Sequence, residues 1–161
     1  MKSDSTEPLA SFQQKGRTKT IKGSVLMPET AGLRFVLNVT NLGGKVNGSL
    51  HALFDKKWKQ VKAETRGAYV NKTGAFKCGT ISQIATQSDV WVINLLCQDE
   101  NQKTDVPALE KCLKEVCKLA KYERGSVHIS SLLTSMVPEL QELAEKHLLA
   151  NGVSVYFYEE G

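Results

Sequence analysis

Apolar residues along the chain fall into short bunches whose spacing changes from strand-like to helical and back. Residues 33–39 (Leu-Arg-Phe-Val-Leu-Asn-Val) are a near-continuous apolar run, the pattern of a strand covered on both faces. Residues 90–97 (Val-Trp-Val-Ile-Asn-Leu-Leu-Cys) form the strongest strand, and shorter strands are predicted over 19–26, stopped by Pro28, over 125–129 and over 153–158. Between them, Leu50, Leu53, Phe54, Trp58 and Val61 recur at helical spacing. Leu109, Cys112, Leu113, Val116 and Ala120 form the apolar face of an amphipathic helix whose Lys111, Lys114, Glu115, Lys118 and Lys121 face water. Asp105 is placed to cap it, with Pro107 in its first turn. A further helix is predicted from Pro138 to Ala150, with Leu140, Leu143, Ala144 and Leu148 inward and Asn151-Gly152 ending it in a left-handed cap. Residues 64–80, with Gly67, Gly74 and Gly79, read as short strands and loops. Residues 1–18 read as a flexible polar tail, because Leu9, Ala10 and Phe12 keep no period, and 19–161 as a single domain.

Strand, loop, helix and then strand, helix, strand, helix, strand is the order of an α/β protein. The expected architecture is a three-layer α/β/α domain with a mixed, mostly parallel sheet. Ligands of such sheets bind outside the carboxyl ends of the strands, which directs attention to the loops after Val39, Cys97, Ile129 and Tyr158. A chain of 161 residues with 41% hydrophobic and 24% charged residues is of ordinary globular composition. No apolar run approaches the roughly 20 residues of a membrane span, and the polar first twenty residues lack a secretory core, so no membrane partner is expected. The net charge of +4 is a mild bias toward anionic partners. Four cysteines, at 78, 97, 112 and 117, contain no Cys-x-x-Cys pair, which favours free thiols in a reducing, intracellular compartment over zinc or disulfides.

The densest chemistry follows the second strand. Asn38 and Asn41, three apart, frame a loop that continues through Gly43, Gly44, Lys45, Val46, Asn47 and Gly48 to Ser49. Gly43 and Gly44 permit positive φ and close backbone approach. Free N–H groups around Gly48 and Ser49 favour an anion such as a diphosphate; a plain tight turn is the alternative. The loop lacks the Gly-Lys-Ser/Thr of a Walker A motif and is not the dinucleotide fingerprint. His51, His128 and His147 have no ligand-like spacing, so no metal site is expected. Cys97 with His128 is a possible nucleophile pair if their strand ends adjoin. Asp99 and Glu100 read as a solvated loop. Lys56, Lys57, Lys59 and Lys62, with Lys45, surround Trp58 opposite Asp55. They form a basic face, either merely solvated or in contact with nucleic acid or another polyanion.

Asn38-x-x-Asn41 followed by residues 43–51 (Gly-Gly-Lys-Val-Asn-Gly-Ser-Leu-His) resembles the Asn-Ala-Ala-Asn and Gly-Gly-Gly-Val-Asp-Gly-Ala-Ile stretch of the macro domain family. Residues 21–25 (Ile-Lys-Gly-Ser-Val) are similar to that family's x-x-Gly-Asp-(Ile/Leu), and residues 108–116 to its Leu-x-x-Ala-(Leu/Val) helix. Residues 126–129 and 153–157 stand in the places of its last two strands, so the resemblance runs from Thr20 to Glu159. The chain is also similar to the compact branch that includes terminal ADP-ribose hydrolases and the macro module of a chromatin remodeller.

The resemblance implies binding of ADP-ribose, free or on ADP-ribosylated proteins, with no cofactor. Asn38 and Asn41 would line the distal ribose, residues 43–48 would cradle the diphosphate, and Phe157 or Tyr158 would pack near the adenine. The sequence departs from the family at three places. The adenine-reading Asp falls at Ser24. The Asp tied to hydrolysis falls at Asn47, whose amide cannot act as a general base. The second phosphate loop falls on residues 130–137, which have no glycine; the hydroxyls of Ser130, Ser131, Thr134 and Ser135 would substitute in part. Lys45 replaces a glycine and is placed to pair with a phosphate, unless it is simply solvated. The lysine of the compact branch has no match at Leu96, Cys97 or Gln98; Lys103 lies nearby in a loop.

These readings point to a binding module for ADP-ribose or poly(ADP-ribose) without catalytic residues, nuclear or cytoplasmic, in the setting of ADP-ribosylation and the DNA damage response. The alternatives are a degenerate macro fold serving protein or nucleic-acid interaction, and an ADP-ribosyl hydrolase.

Overall fold

The computed structural model describes residues 15–72 and 76–161. Six strands form one sheet: β1 (Thr18–Lys22), β2 (Arg34–Asn41), β3 (Thr80–Gln87), β4 (Val90–Gln98), β5 (Ser126–Ser130) and β6 (Val155–Glu159). Their order is β1-β6-β5-β2-β4-β3. All neighbours run parallel except β3, which is antiparallel to β4 at one edge. Of the helices, α3 (Val106–Glu123) and α5 (Leu140–His147) pack together, whereas α1 (Ser49–Asp55) touches both α2 (Gln60–Asn71) and α4 (Ser131–Met136). The result is the expected α/β architecture with a mixed, mostly parallel sheet. Residues 35–41 of β2 are all buried, as a central parallel strand with helices on both faces requires.

Most elements lie where their patterns place them. Asp105 caps α3, its Oδ1 accepting from the Ala108 N–H at 3.1 Å, with Pro107 in the first turn. Gly152 turns left-handed at φ 88° after the final helical segment, a 3-10 turn over Leu149–Asn151. Helix α5 itself is shorter than the predicted 138–150.

Four segments differ. Residues 64–71, read as strands and loops, belong to helix α2: only Val61 and Thr65 of it are buried, so tertiary contacts with α1 and β3 hold a helix whose own apolar stripe is weak. The single helical run from Leu50 to Val61 breaks between Asp55 and Gln60, where the buried Trp58 donates its indole N–H to Gln87 Oε1 at 3.0 Å. Strand β3 went unforeseen because its residues alternate only loosely and it is an edge strand. Residues 130–137 are not a loop: they hold helix α4, with Ser130 as its cap. Of the predicted polar tail, residues 1–14 lie outside the described residues, as does Gly74; β1 begins at Thr18. Among the described residues no helix is long and apolar enough to cross a membrane.

One buried network ties the β1–β2 connection to the sheet. The Glu29 N–H donates to the Tyr158 hydroxyl (3.1 Å), which shares a hydrogen bond with His128 Nδ1 at 2.7 Å. His128 Nε2 faces Ser126 Oγ at 2.8 Å. Arg34 holds the same connection from below, donating to the carbonyls of Pro28 and Thr30 and to Asp89. Burial, with Arg34 nearby, pushes the His128 pKa down from 6.5 to about 3.

The folded state thus refuses a proton that the unfolded chain accepts below pH 6.5. Stability is expected to be full above that value and to fall steadily as pH drops toward 3. Tyr158→Phe, which strips His128 Nδ1 and the Glu29 amide of their partner, is expected to cost roughly 1–3 kcal/mol. Urea titrations of both chains across that pH range check both statements.

Candidate ligand cleft at the strand ends

The site is built from the carboxyl end of β2. Asn38 is fully buried, and burying an amide is tolerable only when it is hydrogen-bonded. Its Nδ2 donates to Asn94 Oδ1 of β4 at 2.9 Å, and Asn94 Nδ2 donates to Thr65 Oγ1 of α2 at 2.9 Å. Asn38 Oδ1 has no partner among the described residues.

Asn41 staples the loop that follows. Its Oδ1 accepts from the Lys45 N–H (2.9 Å) while its Nδ2 donates to the Lys45 carbonyl (3.0 Å), closing the turn over Leu42, Gly43 and Gly44. The Leu42 N–H is held by the Gln98 carbonyl of β4 at 3.0 Å. Gly44 adopts φ +66°, and the Tyr69 ring of α2 lies directly on it: a Cβ there would fall 2.2 Å from the ring. Only glycine satisfies both demands. The amides of Gly43, Val46, Asn47 and Gly48 have no partner among the described residues. Lys45, Asn47 and Gly48 are exposed. Asn47 forms a reciprocal amide pair with Gln102, at 3.0 and 3.4 Å. Beneath the loop, Thr40, Asn41, Gly44, Thr65, Tyr69 and Asn94 help enclose a cavity of about 100 Å³, with Phe76 edge-on to Tyr69.

Across β5 and β6 lies the opposite flank. Ser24 Oγ accepts from the Leu26 N–H at 3.1 Å, a local turn. Val25 is buried, and its N–H donates to Glu160 Oε2 at 3.0 Å. Ser130 Oγ accepts from the Leu132 N–H, Ser131 Oγ from the Glu160 N–H, and Thr134 Oγ1 donates to the Ser131 carbonyl. Phe157 is half-buried and pairs in register with Ile129, while Tyr158 points to the other face of β6 toward His128.

No family model matches the sequence, and no curated protein matches it. Solved structures do. A macrodomain protein from Streptomyces coelicolor superposes with a TM-score of 0.82 at 20% identity, covering 90% of this chain and 100% of that one. The macrodomain of Thermus aquaticus DarG gives 0.64 at 17% identity, over 89% and 99%. Thermosipho africanus DarTG in complex with ADP-ribose gives 0.67 at 12% identity, over 90% of this chain but 42% of that one.

The chain has the macrodomain fold.

Within this macrodomain fold, the residues singled out from the sequence divide into two flanks. Asn38, Asn41 and residues 43–48 stand together at the ends of β2 and β4, whereas Ser24, Ser130, Ser131 and Thr134 stand at the ends of β1 and β5. The lysines are a separate surface. Lys57 Nζ donates to the Leu26 carbonyl (2.7 Å) and lies 5.6 Å over the Trp58 ring. Lys59, Lys62 and Arg66 line an open groove along α2 with Asp55, and Lys56 is exposed. Cys97 and His128 are not brought together. They sit on β4 and β5 with β2 between them, His128 is committed to Tyr158 and Ser126, and burial drives the Cys97 thiol far up. His147 bonds Glu110 at 2.7 Å, joining α5 to α3. Burial lowers the pKa of His51. Among the described residues no group of three His, Cys, Asp or Glu is placed to hold a metal.

Sequence reasoning missed Thr65, Tyr69, Asn94, Gln102 and Glu160. Only Asn94 carried a signal: a lone amide inside the longest apolar strand needs a buried partner.

Gly44→Ala is expected to cost roughly 2 kcal/mol or more, from positive φ and from the Tyr69 ring together. Asn41→Ala, which releases Lys45, is expected to cost roughly 1–2 kcal/mol and to speed amide exchange selectively over residues 42–48. Denaturant titration and hydrogen exchange read the two effects.

Proposed function

We propose that this chain is a binding module for ADP-ribose, free or attached to protein, and that it holds the ligand without turning it over. The observation that carries the reading is the loop of residues 42–48, shaped by the Asn41 staple, at the carboxyl ends of parallel strands: its Gly43, Val46, Asn47 and Gly48 amides have no partner among the described residues. Backbone N–H groups at close range suit a diphosphate, and the glycines leave its oxygens room to approach. Asn38, Asn41 and the adjoining hydroxyls of Thr40 and Thr65 suit the terminal ribose. The base then lies on the flank of Val25, Glu160 and Phe157. The structural likeness to a protein solved with ADP-ribose supports the same ligand. Binding without turnover rests on Asn47, an amide tied to Gln102, which offers no base to activate water.

Titration of the purified protein with ADP-ribose in a calorimeter is expected to give a saturable isotherm, abolished by Gly44→Glu, which drives a carboxylate into Tyr69 and the cradle. Absence of heat at millimolar ligand would overturn the reading, and release of free ADP-ribose from a modified protein would overturn its non-catalytic half.

The groove of Lys59, Lys62 and Arg66 supports a second reading, contact with a polyanion such as poly(ADP-ribose) or a nucleic acid. Changing these three to Gln is expected to lower the salt slope of polymer binding by about 2, while leaving the affinity for monomeric ADP-ribose unchanged.

A further inference from the structure

A second pocket, of about 410 Å³, opens at the amino ends of the parallel strands, at the opposite end of the sheet from the Asn41 loop. The β1–β2 connection lines it with Thr30 and Leu33, and the end of α3 lines it with Lys121 and Arg124. Ser126, Ser154 and Tyr156, where β5 and β6 begin, complete it. No carboxylate lines this pocket. Neither Lys121 nor Arg124 enters an ion pair among the described residues.

The backbone adds to this picture. Arg124 stands at the left-handed cap of α3, with φ 57° and its N–H donating to the Ala120 carbonyl. Glycine takes such a position without cost, whereas a side chain there is strained. The hydroxyls are also placed to donate. Ser154 Oγ accepts from the Arg17 N–H at 2.9 Å, and its own proton has no acceptor among the described residues. Tyr156 is half-buried and stacked on the His128 ring at 5.2 Å, and its hydroxyl has no partner there either.

Two cations around a pocket that holds no acid attract an anion, and hydroxyl donors give that anion directed bonds. The volume suits a small molecule rather than a polymer. Two positive charges match the double charge of a phosphate monoester better than the single charge of a carboxylate. We propose that this pocket is a second ligand site, for a small phosphate ester: Lys121 and Arg124 take the phosphate, Ser154 and Tyr156 donate to its oxygens, and Leu33 covers the body of the ester. The site stands apart from the ADP-ribose reading, because no residue of the Asn41 loop lines it.

Phenyl phosphate, titrated at neutral pH into the isotope-labelled full chain, tests the assignment by backbone amide shifts. Residues 121–126 and 152–156 are expected to shift saturably. Phenol, the same body without the charge, should bind roughly tenfold more weakly or worse. Arg124→Gly removes the guanidinium and the backbone strain together, so affinity should fall roughly fivefold or more while the melting temperature holds or rises. Lys121→Gln should weaken binding by a similar factor without unfolding the chain. No saturable shift at those residues, equal binding of phenol, or unchanged affinity in both variants would overturn the proposal. Shifts confined to residues 42–48 would also overturn it and leave the ADP-ribose reading standing.

Discussion

Strand β2 is buried along residues 35–41, and that burial governs what its carboxyl end can carry. The apolar members meet helices on both faces. The polar members, Asn38, Thr40 and Asn41, must find partners inside the protein, because an unpaired buried amide is costly. Asn38 finds Asn94 on the neighbouring strand, Asn94 finds Thr65 on α2, and Asn41 turns onto the backbone of Lys45. The loop that leaves the sheet is therefore shaped by satisfying buried amides, while the N–H groups of Gly43, Val46, Asn47 and Gly48 find no partner among the described residues.

Helix α2 completes that loop from above. Tyr69 rests on Gly44, and Phe76 packs against Tyr69, so an element with little apolar stripe of its own still finds a place. The opposite flank is fixed by a different device. The connection between β1 and β2 is held by Arg34 and by the chain from Glu29 through Tyr158 to His128, which presents Ser24 and Val25 at the rim. Both flanks converge on the ends of parallel strands, one rich in amides and hydroxyls, the other carrying a carboxylate.

The reactive-looking side chains serve the core. Burial raises the thiols of Cys97 and Cys112, the latter up to about 12, and donors to carbonyls hold Cys112 in place. His128 is kept neutral as a hydrogen-bond relay, and His147 joins two helices through Glu110. The groups at the ends of β2 and β1 are backbone N–H, amide, hydroxyl and the Glu160 carboxylate.

Local pattern alone determined the strands over β2 and β4, helix α3 with its Asp105 cap, the left-handed Gly152 and the α/β alternation, because each depends on period and turn chemistry within a few residues. It also drew attention to Asn38, Asn41 and the glycines, which the structure uses to join β2 to β4 and to close the loop that follows. Tertiary structure decided the rest. Helix α2 and edge strand β3 take their form from neighbours rather than from their own spacing. Residues 131–136 form a helix packed against β5, β6 and α1, and Glu160, 135 residues from Val25 in sequence, folds back onto its amide at the far flank. Contacts of that separation leave no periodic trace along the chain; they arise when parallel strands bring distant ends side by side.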